Sequence, residues 1–222
     1  MNRPGPLRPV DAASVVLIDR RAGAFRVLMG KRSSRHVFMP EVYVFPGGRR
    51  DRSDSRVPVA APLHQAAAEW LMRKTPSRTS EATVRGLGVA ALRELHEEAG
   101  LAVGAAADNA AGGLPFRPDL SGLRFFARAI TPPGQTRRFD TRFFALFADE
   151  ARIDPDATQD SHELSDLQWI DPFGTSDLEM PIITVRVLEE LGNRLRQDPS
   201  LPFGTQAALF STRNGQIFRD ML

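Results

Sequence analysis

Two apolar, β-branched runs, residues 12–18 and 25–31, flank the polar stretch Asp19-Arg20-Arg21-Ala22-Gly23-Ala24, a pattern that predicts a two-stranded hairpin. A shorter apolar run, 42–45, reads as a strand entering the turn formers Pro46-Gly47-Gly48, after which residues 49–58 are polar and charged. Helical periodicity over 62–74 places Leu63, Ala67, Trp70 and Leu71 in one stripe, which must be buried against the body, a partner chain or the arm of a ligand. Thr75-Pro76-Ser77 breaks that helix. The next starts from a Ser80 or Thr79 cap, runs to Ala99 and stops at Gly100. Residues 101–103 then read as a short strand, and 104–118, rich in Ala, Gly and Pro, as loop. Runs 123–130 and 138–147 alternate as two antiparallel strands joined through Thr131-Pro132-Pro133-Gly134, with a further strand at 167–170 and an amphipathic helix at 182–195. Trp169 and Phe173 are expected in the core. No internal repeat is evident, and the pattern amounts to one domain, 1–222, of mixed α and β.

The long central helix carries the chemistry. At ~100° per residue, Glu94, Glu97 and Glu98 share one face, expected to lie at the surface, while Leu92, Leu95 and Ala99 point toward a core. Carboxylates at that spacing repel one another. Two readings follow: a solvated acidic face on which Arg93 and Glu97 pair at i, i+4, or a site for a hard divalent cation such as Mg²⁺ or Mn²⁺, which prefers carboxylate oxygens.

The stretch Arg93-Glu94-Leu95-His96-Glu97-Glu98-Ala99-Gly100-Leu101 resembles the REUxEExGU core of the Nudix box, and Val44-Phe45-Pro46-Gly47-Gly48 resembles the strand-to-glycine entry of the same box. Here the halves are split by the 44 residues 49–92, far more than the uninterrupted box contains. Asp54, six residues after Gly48, is the preferred stand-in for the first glutamate; Arg85 occupies the place counted back from Arg93. The long insertion, the segment from Phe38 to Gly48 and Arg138-Phe139-Asp140-Thr141-Arg142-Phe143-Phe144 resemble the peroxisomal-type coenzyme A diphosphatases and their bacterial relatives. Arg32-Ser33 fits that subgroup's pattern, whereas Val37 and Glu41 depart from it.

The resemblance implies an α/β fold, a Nudix-type α/β/α sandwich with a mixed sheet and a helical insertion at about 49–88 inside the box. It implies Mg²⁺ or Mn²⁺ held by Glu94, Glu97, Glu98 and the carbonyl of Gly47. It assigns catalysis to Glu97, as ligand or water-orienting group, to Arg93 as a brace, and to Glu163 as an acid from a loop across the sheet. Substrate contacts are expected from Arg32, Arg49, Gly48 and Arg142, although Asp140 and Arg142 share a strand and could equally form an internal ion pair. More broadly, Arg32, Arg35, Arg49, Arg50, Arg52 and Arg56 flank the glycines, where guanidinium forks could hold phosphates. His96 and His162 sit in polar runs and are expected exposed. The implied reaction is hydrolysis of a nucleoside diphosphate linkage, with coenzyme A or acyl-coenzyme A leading and giving 3′,5′-ADP and (acyl) 4′-phosphopantetheine. ADP-ribose, dinucleotides or nucleotide sugars are the alternative substrates.

Composition changes this picture little. With 42% hydrophobic and 25% charged residues the chain is an ordinary soluble globular sequence, with no run of 18 apolar residues and no signal-peptide core. The absence of cysteine excludes disulfides, thiolate metal sites and a Cys nucleophile, and fits a cytoplasmic protein. Asp220-Met221-Leu222 is no SKL-like address. The expected partner is a small nucleoside diphosphate substrate, with no membrane and a homodimer left open. The pI near 9.6 raises a nucleotide-sensing or RNA-binding module without turnover as a rival, against which the acidic triad argues, since a pure binder has no need of it.

Overall fold

The computed structural model describes residues 7–33, 40–75, 79–107, 114–174 and 177–222. Its axis is strand β1 (Val10–Asp19), buried on both faces and therefore almost wholly apolar. By the pleat, Ala13, Val15 and Leu17 enter one core cluster and Val16 and Ile18 the other. On one side β1 runs parallel to β8 (Phe139–Phe147), which pairs antiparallel with β7 (Arg124–Ile130) as the alternation at 123–147 predicts. On its other side β1 forks. Its C-terminal end pairs with β2 (Arg26–Arg32), whereas Ala12, Ala13 and Ser14 pair with β4 (Gly47–Arg49). β2 continues to β3 (Tyr43–Val44) and β9 (Leu164–Ile170), completing with the C-terminal strands a nine-stranded mixed sheet.

Helix α2 (Glu81–Ala99) covers the first face and α3 (Ile182–Gln197) the second, which gives the expected α/β/α sandwich. Ser80 Oγ accepts from the Thr83 N–H at 3.2 Å, and Gly100 ends α2 at φ 74°, both as read from the sequence. Helix α1 (Gln65–Leu71) is shorter than expected at both ends; His64 caps its start, its Nδ1 accepting from the Ala66 N–H at 3.2 Å. The α1 stripe is buried against the body: Ala67 and Leu71 lie in the α2-side core, and Trp70 Nε1 donates to the Gly204 carbonyl at 2.8 Å.

Several expectations are corrected. Residues 101–103 form no strand; Leu101 and Val103 are buried, and the ladder starts one residue later, where β5 (Gly104–Ala106) pairs with β6 (Phe116–Pro118) in the stretch expected to be loop. The Gly47-Gly48 turn is strand, since β1 supplies its backbone partners. A terminal hairpin, β10 (Ala208–Arg213) and β11 (Gln216–Met221), was not foreseen; β10 lies parallel to β7. Its signal was Asn214-Gly215, both with positive φ (50° and 78°), the dipeptide that tight hairpins select. Trp169 packs on the core as expected, but Phe173 is 37% exposed, its ring edge-on to Phe25 and under Arg196. Arg35, Val37 and the Pro76-Ser77 break lie outside the described residues.

Candidate active site

The fork in β1 lays the Gly47-Gly48 backbone against the C-terminal half of α2. Ser14, the one polar residue in the apolar run 12–18, holds the entry by donating from Oγ to the Pro46 carbonyl at 2.7 Å. The Gly47 N–H donates to Glu98 Oε2 at 2.7 Å. A Cβ on Gly48 would fall 2.3 Å from Glu94 Oε1, so the glycine leaves the room that this carboxylate fills.

Consequently the acidic face is not the surface the sequence suggested. Glu94 is 9% and Glu98 5% exposed, and only Glu97 faces solvent. Desolvation pushes the Glu94 carboxyl up to about 7, repulsion from Glu97 and Glu163 adding to it and the Arg93 charge and hydrogen bond opposing it. Desolvation likewise pushes Glu98 up to about 8, reinforced by Glu94 and Glu163 and opposed by the Gly47 N–H and Arg32. The charges of Glu163 and Arg32, two residues singled out from sequence, are thus felt at this pair.

Arg93 ties the acids together. Its Nη1 donates to Glu94 Oε1 and Glu97 Oε2, each at 2.9 Å, while Nε and Nη2 reach the Asp54 carboxylate at 3.1 and 3.3 Å and Nη2 the Arg49 carbonyl at 3.0 Å. Asp54 is 1% exposed and also accepts from the Asp51 N–H at 2.7 Å. The insertion therefore begins by folding back onto α2, and Asp54, rather than Arg85, engages the Arg93 brace. Arg85 instead donates to the Ser55 carbonyl.

The remaining candidates divide. Arg49 is exposed and pairs with Asp51 at 3.0 Å. Glu163 is exposed on the loop before β9, and its carbonyl accepts from the Ser33 N–H at 3.0 Å, joining that loop to the Arg32-Ser33 pair. Arg142 is 2% exposed and is held by Asp11 at 2.8 Å and by Asp140 at 3.2 Å, the internal ion pair that its strand position left open. His162 is exposed as expected, but His96 is half-buried with its ring edge-on to Phe116.

Among the described residues no three His, Cys, Asp or Glu side chains converge as a ready-made metal cage. What the site holds is two buried, mutually repelling carboxylates, an all-oxygen donor set that a hard divalent ion fits when water and substrate oxygens complete its shell.

No protein-family model matches the chain. A Caenorhabditis elegans protein named as a nudix hydrolase (nudix hydrolase 7) is 26% identical over 185 residues, 73% of this chain; the chain spans about half the length of that relative, 51%. The crystal structure of a NUDIX hydrolase from Alicyclobacillus acidocaldarius superposes with a TM-score of 0.57 at 24% identity, over 82% of this chain and 90% of that one. A MutT/nudix family protein from Enterococcus faecalis gives 0.52 at 12% identity, over 89% and 66%. The NUDIX domain of Shewanella oneidensis NrtR, solved with ADP ribose, gives 0.50 at 14% identity, over 85% and 90%. The chain thus has the Nudix fold, and the sequence relative supports the Nudix hydrolase family.

Proposed function

We propose that this chain is a metal-dependent Nudix hydrolase that cleaves the diphosphate linkage of a nucleoside diphosphate derivative, with coenzyme A or acyl-coenzyme A as leading substrate. The observation that carries the reading is the Glu94–Glu98 pair, buried against Gly47 and Gly48 with both carboxyls raised. A binding module gains nothing from burying two carboxyl groups side by side, where ionising either is costly. A divalent ion, Mg²⁺ or Mn²⁺, held by Glu94 and Glu98 would supply charge neutralisation on the diphosphate oxygens. The chain's own residues do the rest. Arg93 fixes the rotamers of Glu94 and Glu97 through charge-assisted hydrogen bonds. Glu97, exposed beside them, orients the attacking water and takes its proton, with Glu163 as the second candidate base. Water adds at one phosphorus as the bridging P–O bond breaks, so coenzyme A would yield 3′,5′-ADP and 4′-phosphopantetheine. Substrate contacts are assigned to Arg32, whose charge is felt at Glu98, to Arg49 and to the backbone at Gly48.

Glu98→Gln tests this. It removes a metal-ligand charge, which costs several kcal/mol of transition-state stabilisation, so kcat should fall by at least ~10³ under saturating Mg²⁺. Without metal the melting temperature should not fall, because Gln preserves the neutral form that burial already favours and still accepts from the Gly47 N–H. Activity within tenfold of wild type would remove Glu98 from the role. Coenzyme A, ADP-ribose, NADH and diadenosine polyphosphates, assayed together with products identified by mass, assign the substrate; ADP-ribose is included because the Shewanella oneidensis structure holds it.

A further inference from the structure

Directly beyond the glycines lies a cluster of arginines that the reaction does not use. The ladder between β1 and β4 continues one step past Arg49, the Arg50 N–H donating to the Asp11 carbonyl at 2.9 Å. Arg50 Nη1 donates to Ser55 Oγ at 3.2 Å, and Arg85, from α2, donates to the carbonyl of the same serine. Ser55 is seated there because residue 86 is glycine: a Cβ would lie 2.5 Å from its Oγ. The two guanidinium groups are therefore within one residue of each other.

Charge in this region does not balance. Behind Arg50, Arg142 is paired with Asp11 and Asp140, and Arg128 forks onto Asp140 at 2.7 and 2.6 Å. Two carboxylates, Asp11 and Asp140, are thus shared by three guanidinium groups, those of Arg50, Arg128 and Arg142. Asp11 lies 3.5 Å from Arg50 Nη2 and is committed at 2.8 Å to Arg142; Arg85 has no carboxylate partner among the described residues. The Nε of Arg50 and the Nε of Arg85 are both buried with no hydrogen-bond partner. Buried donors without acceptors are costly, and here they coincide with the surplus of positive charge. The Arg50 side chain is 18% exposed and Asp11 31%, so the cluster opens to solvent.

We infer that Arg50 and Arg85, held around Ser55, form an anion subsite that takes a phosphate monoester on the ribose of the substrate. Position sets the chemistry. Residues two apart on a strand project to the same face about 7 Å apart, which puts Arg50 on the side where Gly48 meets Glu94. A group at that remove is too far to be the neighbouring phosphate of the linkage being cut, and is within reach of one carried by the sugar. A phosphate dianion supplies acceptors for both orphaned Nε–H groups and offsets the surplus charge. This rests on the hydrolase reading and narrows its substrate class to ribose-phosphorylated nucleoside diphosphates.

The test compares coenzyme A with dephospho-coenzyme A, which lacks only the 3′-phosphate. Wild type should show kcat/KM at least about tenfold higher for coenzyme A, the scale of a charge-assisted contact. In Arg50→Gln/Arg85→Gln that ratio should collapse to about one. A wild-type ratio near one, or equal loss on both substrates in the variant, overturns the subsite. Calorimetric titration of wild type with adenosine 3′,5′-bisphosphate and with adenosine 5′-monophosphate reads the subsite without turnover. If neither coenzyme A form is cut yet the bisphosphate binds at least about tenfold tighter, the subsite stands and the hydrolase reading fails. Equal affinities for the two nucleotides refute the subsite.

Discussion

At the residue scale, the adjacent glycines at the head of the site carry different burdens. A Cβ on Gly47 would meet backbone, the Ala13 carbonyl oxygen at 2.6 Å and Ser14 Cα at 2.7 Å, neither of which can move without opening the β1–β4 ladder. On Gly48 the three nearest atoms to the Cβ all belong to the end of the Glu94 side chain, which can shift at the cost of its Arg93 hydrogen bond. Gly47→Ala should therefore cost stability, about 1–3 kcal/mol as for other overpacked sites. Gly48→Ala should leave the melting temperature much nearer wild type and lower kcat/KM by about 10²-fold, because the displaced carboxylate is a proposed metal ligand. Thermal melts and kinetics on both variants check the contrast; equal effects on stability would show that the two glycines are only packing.

At the element scale, α2 and α1 divide site from scaffold. Helix α2 presents Leu87, Leu92 and Leu95 to the core and the acids to β4, so one amphipathic element holds fold and chemistry together. Helix α1 lies inside the split of the box, and from sequence its stripe could have served a ligand's arm. It packs on the body instead, and the part of the insertion that reaches the site is its first turn, through Asp54 and Ser55. Leu71 is 2% exposed, so Leu71→Ala should destabilise by about 2–5 kcal/mol. It should change KM for coenzyme A and for ADP-ribose by the same factor. A rise confined to coenzyme A would return the stripe to substrate binding.

At the scale of the whole molecule, the two faces respond to pH in opposite directions. Without metal, Glu94 and Glu98 hold their protons to about 7 and about 8 in the fold but ionise near 4.5 when unfolded. The folded state binds more protons in that window, so stability falls as pH rises through it. On the other face Glu190 is 4% exposed; burial alone would raise its pKa, but hydrogen bonds from Arg219 at 2.6 Å and Arg194 at 2.7 Å outweigh that and hold it below 4.5. Its contribution is present above 4.5 and is lost as pH falls through the depressed value. Melts in EDTA should therefore show stability declining from pH 5 to 8, and Mg²⁺ should flatten the decline, because a ligand of the folded state at a hundredfold excess over Kd adds about 2.7 kcal/mol. Glu94→Gln/Glu98→Gln should remove both the decline and the metal response; parallel curves for variant and wild type would place their source elsewhere.

What the chain by itself determined is what depends on near neighbours. The cap at Ser80 and the stop at Gly100, the apolar period of α2, the β7–β8 hairpin and the motif halves at 44–48 and 93–101 all rest on residues within a few positions of one another. Asn214-Gly215 was as local a signal, and it marked the terminal hairpin. Tertiary structure decided whatever depends on groups far apart in sequence. Gly47 and Glu98 are 51 positions apart and Asp54 and Arg93 39, and only their meeting buries the acids and braces them. Arg142 was legible as an arginine on a strand; its partner Asp11 lies 131 positions away. Periodicity records which face of an element is apolar, but desolvation and charge pairing belong to the neighbours that folding brings, and here those neighbours raise two carboxyls and give a strand arginine its internal ion pairs.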